Sequence, residues 1–134
     1  MAVVKSETLP IRSEMDVVHV RQAVRALAIE LTFSLVDQTK VITAASELAR
    51  NTLQHGLGGQ VRIESLVEGM RRGLRLVFED KGPGIPDVTK AMSDGYTTGG
   101  GLGMGLPGSK RLVNEFNIST RVGEGTTVTI IKWK

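Results

Sequence analysis

The chain has 134 residues, a net charge of +3, 4% aromatic residues and no cysteine. That length suits one domain, read as residues 1–134, in which folding hides about two-thirds of the unfolded surface. Disulfides and thiolate metal sites are excluded, and the absence of a leader, a membrane-length apolar run or a basic cluster with interleaved aromatics predicts a cytoplasmic protein with no membrane and no nucleic acid among its partners.

Val3 to Ile11 alternates weakly and reads as a strand, at a sheet edge because Pro10 cannot donate to a ladder. Ser13 and Asp16 have capping-box spacing. Val17, Val20, Val24, Leu27, Ala28 and Leu31 then recur at helical intervals and form one apolar stripe. Ser34 and Asp37 repeat the cap. The second helix carries Val41, Ile42, Ala45, Leu48, Ala49 and Thr52 on one side, and Gly56 is expected in the left-handed position that ends it. Gln60 to Glu68 alternates as a strand through Val61, Ile63 and Ser65, and residues 69–73 read as a hairpin connection. Leu74 to Asp80 is the clearest strand, with Leu74, Leu76 and Phe78 on one face. Asp80 shares their parity, which turns its carboxylate toward the core side.

A short helix capped by Asp87 is expected from Val88 to Ser93. Leu106 to Phe116 reads as another, with Pro107 in the first turn, where its missing N–H costs nothing. Asn117 to Val122 and Thr126 to Trp133 complete the strands, joined by Gly123, Glu124 and Gly125. Strands in adjacent hairpins and helices in blocks predict an α+β fold. Its form is a two-layer sandwich: a mixed, mostly antiparallel sheet with helices on one face.

Three constellations carry chemistry. Glu47, Asn51 and His55 stand four apart, so they form a polar line along the second helix beside its apolar arc. The plain alternative is a solvated helix edge, with His55 as a C-terminal cap. Asp80, Gly82 and Gly84 place a carboxylate beside two residues that let a flat ligand approach the backbone. Such a carboxylate accepts from an exocyclic amino group like that of adenine, or else caps its own turn. Finally, seven of the fourteen residues from Gly95 to Gly108 are glycine, and this loop feeds a helix start, the usual setting for a phosphate. The formal Gly103-x-Gly105-x-x-Gly108 match is not a dinucleotide fingerprint, because no strand leads into it.

In this order the constellations resemble the N, G1 and G2 boxes of the GHKL superfamily, which includes gyrase, MutL and the histidine kinases. Gly123-Glu124-Gly125-Thr126 resembles the final box, and the likeness runs over nearly the whole chain. A lone domain of this size is similar to the bacterial anti-sigma and switch serine kinases. The stretches SELARN, EDKGPGIPD, GLGMGLPG and IKWK look most like the RsbT type, the switch kinases of the stressosome.

The resemblance implies a serine/threonine-protein kinase that uses ATP and Mg²⁺. Asp80 and Thr126 would bind adenine, Gly82 and Gly84 would line the base, and Asn51 would hold Mg²⁺. Gly99, Gly101, Leu102, Gly103, Met104, Gly105, Leu106 and Lys110 would surround the phosphates, and Glu47 would be the catalytic base. Partners implied are STAS-domain proteins (an RsbS-like antagonist and an RsbR-like scaffold) and an RsbU-like PP2C phosphatase. The alternative is an anti-sigma factor kinase that sequesters a sigma factor directly and phosphorylates an anti-anti-sigma factor. Trp133 reads as a residue that packs on the sheet or, near the chain end, as a partner anchor, the first being the commoner role.

Overall fold

The computed structural model describes residues 1–92 and 105–134. Its elements in chain order are β1 (Ala2–Ile11), α1 (Glu14–Glu30), α2 (Leu35–Gln54), β2 (Gly59–Glu68), β3 (Arg71–Asp80), α3 (Val88–Ala91), α4 (Gly105–Arg111), β4 (Glu115–Arg121) and β5 (Gly125–Trp133). The strands form one sheet in the order β1-β2-β3-β5-β4, and all four pairings are antiparallel. The expected α+β class therefore holds, with β1 at an edge as Pro10 requires.

Both long helices begin as their caps dictate. The Ser13 hydroxyl accepts from the Asp16 N–H at 3.2 Å, and the Ser34 hydroxyl accepts from the Asp37 N–H at 3.1 Å. Each helix then lays its apolar stripe on the same face of the sheet. Val17, Val20, Val24 and Ala28 of α1 and Val41, Ala45, Leu48 and Ala49 of α2 are buried against Ile11, Val61, Ile63, Leu74, Leu76, Phe78, Val128 and Ile130. Residues of opposite strand parity form the other face, where Leu66, Ile131 and Trp133 make a small second cluster. The Trp133 indole crosses Gly73, where an added Cβ would lie 2.6 Å from its ring, and the Arg71 guanidinium stacks on it at 4.1 Å. Trp133 is thus a packing residue, as expected.

Several boundaries differ from the sequence reading. The β2–β3 turn is only Gly69 and Met70, because Glu68 pairs with Arg71 and the ladder runs to the tip. Helix α4 stops at Arg111 rather than Phe116. Phe116 and Ile118 instead alternate toward the core from β4, which begins two residues earlier than expected. Asn114 holds this junction: its N–H donates to the Ile131 carbonyl, and its side-chain oxygen accepts from the Trp133 N–H. Helix α3 ends at Ala91, and Ser93 lies outside the described residues.

Candidate nucleotide site

The C-terminal end of β3 sits where three backbone segments converge. Register places Asp80 opposite Gly59 on β2 and opposite Thr126 on β5. Its Oδ1 accepts from the Gly82 N–H at 2.9 Å and from the Thr126 N–H at 3.2 Å. The turn-capping reading is therefore correct for that one oxygen. Among the described residues Oδ2 accepts nothing.

The close approach explains the glycines. A Cβ at Gly56 would lie 2.4 Å from both Cβ and Cγ of Asp80 and 2.5 Å from Oδ2. At Gly125, whose φ is +118°, a Cβ would come within 2.1 Å of the Asp80 carbonyl oxygen. Real side chains do not tolerate such distances, so these positions admit only glycine without a backbone shift. Gly56 does not take the left-handed turn assigned to it; Leu57 (φ 61°) and Gly58 (φ 98°) do. Gly56 is needed for proximity to Asp80, a tertiary demand rather than a helix-ending one.

Helix α2 supplies the facing wall. Glu47, Arg50, Asn51, Gln54, Gly105 and Leu106 line a narrow cleft between α2 and α4. A second cleft of about 160 Å³ is enclosed by Asn51, His55, the Pro83–Pro86 segment, Ala91 and Leu106. Asn51 and Leu106 border both. The Glu47 side chain is only 12% exposed, and its Oε1 accepts from Arg50 Nη1 at 2.9 Å. His55 is exposed and caps α2, its N–H donating to the Asn51 carbonyl at 2.9 Å. Gly84 lines the second cleft, with a φ of +78° that brings its backbone against that of Arg121. Lys110 is exposed in the last turn of α4 and lines neither cleft. Gly99, Gly101, Leu102, Gly103 and Met104 lie outside the described residues.

The roomier grooves among the described residues lie elsewhere, including one of about 740 Å³ between β1 and α1 and a second of about 800 Å³ at the sheet end. The second also touches Asp80, but Gln60, Glu79 and Thr127 line it with the opposite strand parity. The carboxylate itself turns toward the end of α2, since Oδ2 is among the atoms nearest the site of a Gly56 Cβ.

Two participants were not anticipated from sequence. Arg50 pairs with Glu47, and the (i, i+3) spacing of opposite charges was the available signal. Thr120, on β4, accepts from the Ile85 N–H at 2.9 Å and lies 2.8 Å from the Thr126 hydroxyl. Its parity with Ile118 was legible in the expected strand; its pairing with Thr126 was not.

Residues 36–134 match the model of the histidine kinase-, DNA gyrase B- and HSP90-like ATPases. The chain belongs to this family. Within it, the chain is 50% identical to the serine/threonine-protein kinase RsbT of Bacillus subtilis over 92% of both chains. It is 34% identical to the anti-sigma F factor of Anoxybacillus flavithermus, over 84% of this chain and 80% of that one. Among solved structures, the RsbU and RsbW domains of a Mycobacterium tuberculosis protein superpose with a TM-score of 0.64 at 19% identity. That match covers 96% of this chain and 32% of the other, and it supports the fold. As a member of this ATPase family the domain uses ATP. Among the described residues no helix is long and apolar enough to cross a membrane.

Proposed function

We propose that this chain, a serine/threonine-protein kinase by its family and relatives, phosphorylates a Ser or Thr of a STAS-domain partner, RsbS-like or RsbR-like. Once released, it binds and activates an RsbU-like PP2C phosphatase. The observation that carries the reading is the half-identity to RsbT across nearly the full length of both chains. Glu47 and Asn51 on adjoining clefts along α2, with the Asp80 carboxylate turned toward the end of that helix at Gly56, support it.

In this reading Asp80 Oδ2 accepts from the adenine amino group, and the Thr126 hydroxyl makes a second contact with the base. The backbones of Gly82 and Gly84 line its plane. The described residues contain no cluster of three or more His, Cys, Asp or Glu suited to a metal. The Asn51 amide borders both clefts, and a single protein oxygen there suits an ion that keeps phosphate oxygens and water around it, as Mg²⁺ does. The Asn51 amide oxygen would hold it, and Mg²⁺ when bound neutralises phosphate charge. By the family likeness the backbone of residues 99–106 would face the phosphates, 105 and 106 alone of these being among the described residues, and Lys110, exposed on α4, would add charge from outside the clefts.

Glu47 takes the proton of the acceptor hydroxyl. The hydroxyl oxygen bonds to the γ-phosphorus as the bond to the β–γ bridging oxygen breaks, and ADP carries away that electron pair. Arg50 aims the Glu47 carboxylate through their hydrogen bond. The new phosphate adds close to two negative charges at the partner interface and drives release.

Labelled ATP incubated with a STAS partner tests the proposal. The native chain is expected to transfer phosphate to a Ser or Thr. Glu47→Ala should cut transfer by at least about a hundredfold while leaving ATP affinity within about threefold. ATP binding without transfer to any partner would refute it. A second reading, an anti-sigma factor that sequesters a sigma factor, is favoured by the 34% identity to the anti-sigma F factor. Capture of a sigma factor rather than an RsbU-like phosphatase in a pull-down would select it.

A further inference from the structure

Asp80 alone does not choose between purines. An ionised carboxylate only accepts, and it accepts as well from the N1–H and 2-amino group of guanine as from the 6-amino group of adenine. What separates the two bases is the atom beside that donor. Adenine presents the bare N1, an acceptor, whereas guanine presents a second donor. The site reads adenine only if the group next to Asp80 donates.

That group is the Thr126 hydroxyl, on the strand position opposite Asp80 and only 8% exposed. A hydroxyl either donates or accepts, and its neighbours decide which. Thr120 Oγ1 lies 2.8 Å from Thr126 Oγ1 and 3.2 Å from the Gly125 carbonyl oxygen, and it accepts from the Ile85 N–H at 2.9 Å. Two proton arrangements exist. In one, Thr126 donates to Thr120, and the Thr120 proton must go to Gly125. In the other, Thr120 donates to Thr126, whose own proton is then left to serve a base beside Asp80.

Hydroxyl hydrogen bonds cluster between about 2.5 and 3.0 Å. The Gly125 distance lies outside that range and the Thr126 distance near its centre, so the second arrangement is the better one. We propose that Thr120 is a positioning residue for base specificity: by donating to Thr126 it makes that hydroxyl a donor and so selects adenine over guanine. The proposal rests on the adenine site described above and adds to it the residue that sets its polarity. Ile85, one wall of the 160 Å³ cleft, is tied to the same oxygen, so the base site and its selector move together.

The test measures affinities of the full chain for ATP, GTP and the purine riboside triphosphate that lacks the 6-amino group. The native chain should prefer ATP to both. Thr120→Val keeps the β-branched shape but removes the hydroxyl, and it should lower the ATP-over-GTP preference about tenfold. Thr120→Ser restores the hydroxyl and should keep the preference within about twofold. If the valine variant does not fold by circular dichroism, Thr120→Ala is read in the same way.

Equal weakening of ATP and GTP in the valine or alanine variant would mean a merely structural role and would overturn the proposal, as would a native chain indifferent to ATP and GTP. A native chain that binds ATP and the amino-free analogue equally would instead sink the Asp80 contact, and the specificity proposal with it.

Discussion

Two carboxylates sit on neighbouring strands of this sheet in opposite chemical settings. Glu64, on the face away from the helices, is met by Arg75 Nε at 2.7 Å and by Arg62 Nε at 3.6 Å. The Arg75 hydrogen bond holds its carboxyl below the usual glutamate range, although burial pushes the other way. Asp80, on the helix side, has no ion-pair partner among the described residues. Backbone N–H groups hold one of its oxygens and leave the other unengaged. A carboxylate neutralised by two arginines is finished; its work is to secure the outer face. One oriented by neutral donors and walled by glycine has acceptor capacity left for a ligand. The donors differ as much as the faces do, and those of Asp80 leave it suited to the recognition role proposed above.

The largest effect expected from this contrast is at Asp80. Asparagine keeps an oxygen for Gly82 and Thr126 but offers an amide donor where the base presents its own. Asp80→Asn should therefore lose ATP affinity by about a hundredfold or more, with the melting temperature nearly unchanged. Calorimetric titration and a thermal melt together check it; unchanged affinity would count against the assigned pocket.

Gly56→Ala comes next. Its Cβ would collide with the Asp80 side chain, so a loss of about 2 kcal/mol of stability is expected, along with weakened ATP binding. Denaturant unfolding measures the first part.

Glu64→Gln should cost about 1–2 kcal/mol near neutral pH and leave ATP affinity unchanged. The sign of its pH dependence follows from the lowered carboxyl. The contribution of Glu64 is fully present above its unfolded value of 4.5 and is lost as pH falls through the lower folded value. Native and variant stabilities should therefore converge in acid. A constant difference from neutral pH down to strong acid would show that the ion pairs are not its source.

Arg62→Gln is the smallest. Its contacts to Glu64 and Glu79 are long, at 3.6 and 3.7 Å, and its side chain is 41% exposed, so about 0.5 kcal/mol is expected by the same unfolding measurement.

The local chemistry of this chain was readable in advance. Ser13 and Ser34 announce their helices because a cap acts over three residues. The parity of Leu74, Leu76, Phe78 and Asp80 announces the inward carboxylate because strand alternation is strict. Glu47, Asn51 and Asp80 were recognisable as candidates for the same reason: each lies on a regular element with a fixed period.

What periodicity does not encode is which distant backbones meet. The necessity of Gly56 comes from Asp80, twenty-four positions on. The start of β4 at Glu115 comes from pairing with Ile131, and the partnership of Thr120 with Thr126 comes from two strands closing on one hairpin. Those features arise from contacts between different elements, from the six positions that separate Thr120 and Thr126 to the twenty-four that separate Gly56 and Asp80, and such distances exist only after the elements have met, so tertiary structure alone decided them.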